Sequence, residues 1–93
     1  MKQILFTALA LVLLTAGVQQ KRTTIFVIGD STAAKKDLSN GSTERGWGMA
    51  LQCYFDEAFV YVDNHAVNGR SSKSFIDEGR WQKVLDKLQP GDY

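Results

Sequence analysis

One cysteine, one proline and one histidine occur in the 93 residues. The lone cysteine, Cys53, forms no internal disulfide and offers no metal framework. Its surroundings, "WGMALQCYF", are apolar, so a buried and inert thiol is expected. Excess charge of either sign is also missing. Lys plus Arg is 11 and Asp plus Glu is 10; leaving out residues 1–17, which hold only Lys2, makes it ten of each. No basic field remains to grip a nucleic acid backbone. The aromatics are not interleaved with a basic patch, so single-strand stacking is not expected either. Three motifs are absent: the GxxxxGK(S/T) phosphate loop, the GxGxxG dinucleotide cradle and the GxSxG elbow. An aspartyl nucleophile at Asp30 lacks the second acid it needs two residues on, where Thr32 stands.

A long hydrophobic span is missing too. The apolar run "ILFTALALVLL", residues 4–14, falls short of the roughly 20 residues that cross a bilayer. Lys2 precedes it, and Thr15, Ala16 and Gly17 follow. This order predicts a signal peptide over 1–17, cut after Gly17, and a secreted or periplasmic product. A retained anchor helix is the alternative. Cleavage leaves 18–93, with no stable membrane insertion expected and no cysteine near the cut for a lipid.

Within 18–93 the pattern alternates. "TTIFVI", residues 23–28, predicts a strand buried on both faces. Residues 29–32 turn out of it, and the polar, Gly/Ser-rich stretch 36–46 predicts a loop. From Trp47 to Phe55 a short helix is predicted, with Trp47, Leu51, Tyr54 and Phe55 on one face. "FVYV", residues 59–62, predicts the second strand, and 63–70 a loop. Ser71–Ser74 reads as a cap before a helix over 75–88, which Gly79 weakens. "QPGD", residues 89–92, turns the chain, and Tyr93 would begin another strand. Such alternation predicts an α/β fold with a parallel sheet. Two strands bury little apolar surface, so 18–93 reads as an incomplete domain. A small domain completed by a partner chain is the alternative.

The stretch "IGDSTAA", residues 28–34, leaves the C-terminal end of the first strand, where sheets of this class bind ligands. Ser31 there is either a nucleophile on a strand-to-helix turn or an ordinary helix cap. These residues alone leave both open. Gly69 would lie beside Ser31 if the strands are neighbours, with its N–H free for a ligand. Asn68, Arg70 and Ser71 share that rim, and Asn68 and Arg70 are candidate substrate contacts. Arg45, Arg70 and Lys73 either meet acidic sugars or pair with Glu44 and Asp77. Trp47 and Trp81 are sugar platforms or core residues, with core packing expected from their apolar helix stripes.

Taken together these blocks resemble the GDSL/SGNH hydrolases, in the secreted rhamnogalacturonan acetylesterase-like branch. "IFVIGDSTAA" resembles the first family block and places the nucleophile at Ser31. "ERGWGMAL", residues 44–51, resembles the following Gly-Trp-Gly segment. "NHAVNGRSSKSF", residues 64–75, resembles the second block and matches its glycine to Gly69. "GRWQKVLDKLQPGDY", residues 79–93, resembles the run into the third strand. Thr32 and Ala33 depart from the usual GDSL form, as is typical of the pectin-related branch. The resemblance implies the N-terminal part of a flavodoxin-like three-layer α/β/α SGNH hydrolase fold, with a parallel sheet. It implies a serine that attacks an acetyl ester of a polysaccharide, with no cofactor and no metal. The N–H groups of Ser31 and Gly69 and an asparagine of a third block would form the oxyanion hole. The family's Asp-x-x-His block has no counterpart in this sequence. His65 is therefore expected in a structural or substrate-side role, and Asp30 as a brace of the turn. The 93 residues by themselves are expected to be inactive or nearly so. A short exported carbohydrate-binding or interaction module is the alternative, or an acyl esterase or lipase of other specificity. Oligomeric state is left open.

Overall fold

The computed structural model describes residues 21–93. The expected signal peptide, 1–17, lies outside the described residues. Among these, no helix is long and apolar enough to cross a membrane.

Two β-rich stretches pair as parallel strands, β1 (Thr23–Val27) and β2 (Val60–Asn64). The register runs from Thr23 opposite Val60 to Val27 opposite Asn64. Strand alternation puts Ile25, Val27 and Val62 on one face. They pack there with Ala33, Leu51 and Ala66. Phe75 and Val84 are buried on the two helices that follow β2.

Expected burial of β1 on both faces is corrected. Only Val27 is buried, and Thr23–Phe26 are half-buried. The described elements leave part of the sheet's surface uncovered, and Ile28 is exposed. β2 also runs further than expected, to Asn64. The ladder continues past it, because His65 N–H donates to the Val27 carbonyl at 2.8 Å.

Tyr93 meets the other edge of β1. Its N–H donates to the Thr24 carbonyl at 3.0 Å, and its carbonyl accepts from Phe26 N–H at 2.7 Å. This is the bonding of a parallel neighbour. The order across the sheet is therefore β2, β1, Tyr93. Asp92 braces the approach by accepting from the Thr24 and Gln89 N–H groups.

The first helix, α1 (Trp47–Ala50), is one turn long and passes into a 3-10 helix, Leu51–Tyr54. The tighter pitch changes which residues face inward. Leu51 still reaches the core, but Trp47, Tyr54 and Phe55 are exposed. Cys53 is exposed as well, correcting the expected buried thiol. Gln52 faces inward instead. Its Nε2 donates to the Val60 carbonyl at 2.9 Å, and its Oε1 accepts from Val62 N–H at 2.7 Å.

Beyond β2, one expected helix is two: α2 (Ser72–Asp77) and α3 (Arg80–Lys87). Gly79 separates them at φ +73°, a left-handed conformation a side chain would oppose. Ser71 caps α2 as expected. Ser71 Oγ accepts from Ser74 N–H at 3.1 Å, and Ser74 Oγ accepts from Ser71 N–H at 2.8 Å. Trp81 on α3 is 38% exposed, so neither tryptophan is a core residue among the described residues.

Candidate active site

Past Val27 the chain makes one hydrogen-bonded turn and then no helix. Ala33 and Ala34 N–H both donate to the Asp30 carbonyl. Continuing as a helix would send the N–H groups of residues 36 and 37 to the Thr32 and Ala33 carbonyls. Those carbonyls are taken instead by Trp47 N–H at 2.9 Å and Gly48 N–H at 3.1 Å. The expected strand-to-helix turn is thus a strand-to-loop turn, held from below by the Gly-Trp-Gly segment. Ala33's carbonyl also accepts from Asn64 Nδ2 at 2.9 Å.

This geometry decides the cap question. With no helix here to cap, Asp30 braces the turn: its Oδ1 accepts from Thr32 N–H at 3.1 Å and from the Thr32 hydroxyl at 2.9 Å. Ser31 is exposed, and among the described residues no group hydrogen-bonds its hydroxyl. Asp30 is the expected brace of the turn. The Thr32 backbone N–H, then the Thr32 hydroxyl, hold its carboxyl below the ordinary 3.8. A carboxylate so occupied is a poor proton acceptor at neutral pH. The sign for stability follows: the folded value is depressed, so the contribution is full above the unfolded value and fades as pH falls through the folded one. A carboxyl-carbon titration by NMR is expected to place the Asp30 midpoint below 3.8, and the Asp30→Asn variant is expected to lose less stability on acidification.

The second loop runs alongside the first. Val67 N–H donates to the Gly29 carbonyl at 3.0 Å. Two residues further on, Gly69 turns at φ +72°, with open space where a Cβ would stand. Pairing of the loops brings Ser31 and the Asn68–Gly69 turn to the same strand-end rim. Lys36 ties them directly: its Nζ donates to the Ser31 carbonyl and, at 3.0 Å, to Asn68 Oδ1.

The other candidates sort by their partners. Arg70 Nε meets Glu78 at 2.9 and 2.8 Å, and its Nη1 donates to the Asn68 carbonyl at 3.0 Å. Lys73 pairs with Asp77 at 2.5 Å. Arg45 donates to the Ser42 and Glu44 carbonyls. His65 Nε2 is buried, 3.0 Å from Asp63 Oδ2 but not aligned for a hydrogen bond. Its ring tilts against Phe26 at 6.0 Å. By strand alternation His65 lies on the sheet face opposite Asn64, whose side chain reaches the Ser31 turn. The site therefore gains Ser31, Asn68, Gly69 and Arg70 on one rim, and His65 stands apart.

A cavity of about 550 Å³ opens beside Gly29 and Asp30, walled by Ile28, Phe75 and Trp81. Ser31 does not line it, whereas Asp30, Arg70 and Ser71 do. No group of three or more His, Cys, Asp or Glu side chains that would hold a metal ion occurs among the described residues. Lys36, Asn64 and Glu78 were invisible as site residues in the sequence. The one available signal was polarity at a strand end, which marks Asn64.

No family model matches the chain. Curated relatives do. The chain is 40% identical over 93 residues to the rhamnogalacturonan acetylesterase of Emericella nidulans, covering 100% of this chain and 32% of that one. It is 38% identical over 69 residues to the rhamnogalacturonan acetylesterase RhgT of Bacillus subtilis, covering 74% and 29%. The crystal structure of the Bacillus subtilis protein YxiM superposes with a TM-score of 0.70 at 36% identity, over 78% of this chain and 21% of that one. The chain spans less than a third of the length of each of these proteins.

Proposed function

The chain belongs to the GDSL/SGNH hydrolases, in the rhamnogalacturonan acetylesterase-like branch, and from that membership we propose that it carries the nucleophile half of a secreted acetylesterase. Ser31 attacks the acetyl carbonyl, releasing the sugar alcohol, and water then cleaves the acetyl-enzyme. The N–H groups of Ser31 and Gly69 receive the oxyanion charge. One observation carries the reading: a serine hydroxyl without a hydrogen-bond partner among the described residues and a left-handed glycine turn share the rim at the ends of two paired strands. The substrate is acetylated rhamnogalacturonan, the polymer in the names of the two acetylesterases matched.

The reading includes the rest of the fold. β1 with β2 and Tyr93 on its two edges is the start of a flavodoxin-like α/β/α sheet, with 18–93 its first part. A serine needs a base within hydrogen-bond reach. With its only histidine away from Ser31, the 93-residue chain alone is inactive. The test is acetate release. The whole protein that carries this sequence is expected to deacetylate rhamnogalacturonan faster than acetylated xylan, and residues 18–93 alone to release none. A preference for xylan would change the substrate; Ser31-dependent release by 18–93 would overturn the claim of an incomplete site.

A further inference from the structure

The sequence leaves Arg70 open to contact with an acidic sugar or to pairing with Glu44 or Asp77. Its bonds say something else. The Arg70 side chain is about two-thirds buried, and Nε meets both oxygens of Glu78 at 2.9 and 2.8 Å. Glu78 also faces Arg80 at 3.5 Å, so it sits between two guanidiniums at the Gly79 break. Held this way, Arg70 turns Nη1 toward the chain and donates to the Asn68 carbonyl at 3.0 Å.

That carbonyl and the Gly69 N–H belong to the same peptide. A trans peptide is planar, with its C=O and N–H pointing in opposite directions. Anchoring the Asn68 oxygen therefore fixes where the Gly69 N–H points. Gly69 needs such an anchor. At φ +72°, with open space where a Cβ would stand, the turn has no side-chain packing of its own to hold it. Lys36 secures the same residue from the other side, through Asn68 Oδ1.

We propose that Arg70, locked by Glu78, is a positioning residue that sets the Asn68–Gly69 peptide plane and so aims the Gly69 N–H of the oxyanion hole. The inference rests on the esterase reading above. It assigns Arg70 to the transition state of every ester the site cleaves, not to the charge of one substrate. A lysine keeps the charge and loses the fork that reaches Glu78 and Asn68 together.

The experiment compares two esters with the whole protein: uncharged p-nitrophenyl acetate and acetylated rhamnogalacturonan. Arg70→Lys and Glu78→Gln are each expected to lower kcat on both esters by about tenfold or more, with KM changed less than about twofold. The double variant is expected to lose no more than the worse single one, since the pair acts as a unit. Unchanged kcat on p-nitrophenyl acetate, with a raised KM for the acidic polymer, would overturn the proposal in favour of a substrate contact. If Arg70→Lys does not fold, Glu78→Gln decides by the same split. Ser31→Ala is run first. Activity that survives it removes the esterase reading, and this inference with it, before any Arg70 variant is compared.

Discussion

Replacing Ser31 with alanine is expected to cut acetate release by the whole protein by about 10,000-fold or more, with no change in stability beyond about 0.5 kcal/mol. The two halves of this result have separate causes. On the proposed reading activity falls because the neighbouring candidate acceptors are engaged, Ser71 Oγ among them through its cap bond to Ser74 N–H. Thr32 Oγ1 is already donated to Asp30, and Lys36 is engaged with the Ser31 carbonyl and Asn68. Stability holds because the hydroxyl is exposed and bonds nothing among the described residues. The turn is closed by Asp30, Ala33 and Ala34, none of which the substitution touches. Melting of the variant beside the unaltered protein checks the second half. A large drop in melting temperature would return Ser31 to a structural role.

The second large effect is expected beneath the turn. At Gly46 an added Cβ would stand 1.9 Å from the Ala34 carbonyl oxygen and 2.8 Å from the Ala33 carbonyl carbon. At Gly48 it would stand 2.5 Å from the Ala33 oxygen and 2.7 Å from Asn64 Nδ2. Gly46 has φ −82°, a conformation any residue adopts, so space alone forbids a side chain there. At Gly46 the atoms in the way are all backbone and cannot rotate aside, whereas at Gly48 the Asn64 side chain is among them. Gly46→Ala is expected to destabilise by about 3 kcal/mol, at the upper end of overpacking, and Gly48→Ala by about 2. Both are expected to lower kcat, because the displaced carbonyls belong to the turn that presents Ser31. Urea unfolding and kcat measured on the same samples check this. Unchanged kcat in a destabilised Gly46→Ala protein would mean that the turn's position does not govern Ser31.

These glycines show what a sequence gives away and what it withholds. "GDSTAA" and "GWG" were legible as blocks, and so was a parallel sheet of the two strands. That the Gly-Trp-Gly segment supports the Ser31 turn was not legible. It depends on two carbonyls choosing Trp47 and Gly48 over their own chain four residues on. Apolar spacing placed Trp47, Leu51, Tyr54 and Phe55 on one face, correctly for a 3.6-residue pitch. The 3-10 helix at Leu51–Tyr54 broke that pitch, leaving Leu51 inside and Cys53 outside. Gly79 was a visible weakness, and it became a full break between α2 and α3. Ser71 read correctly as a cap because capping is local. The reach of Lys36 to Asn68, across 32 positions, is not local, and nothing in residue spacing encodes it.

Gln52 has a consequence for how molecules meet one another. The outer rim of a parallel sheet displays unpaired N–H and carbonyl groups, to which a foreign strand can attach. On β2 a single amide side chain occupies the Val60 carbonyl and the Val62 N–H, in the middle of that rim. The amide imitates the bonding of a neighbouring strand without being one. A second molecule finds no free ladder at this position, so β2 is a poor template for strand addition and for the aggregation that follows from it.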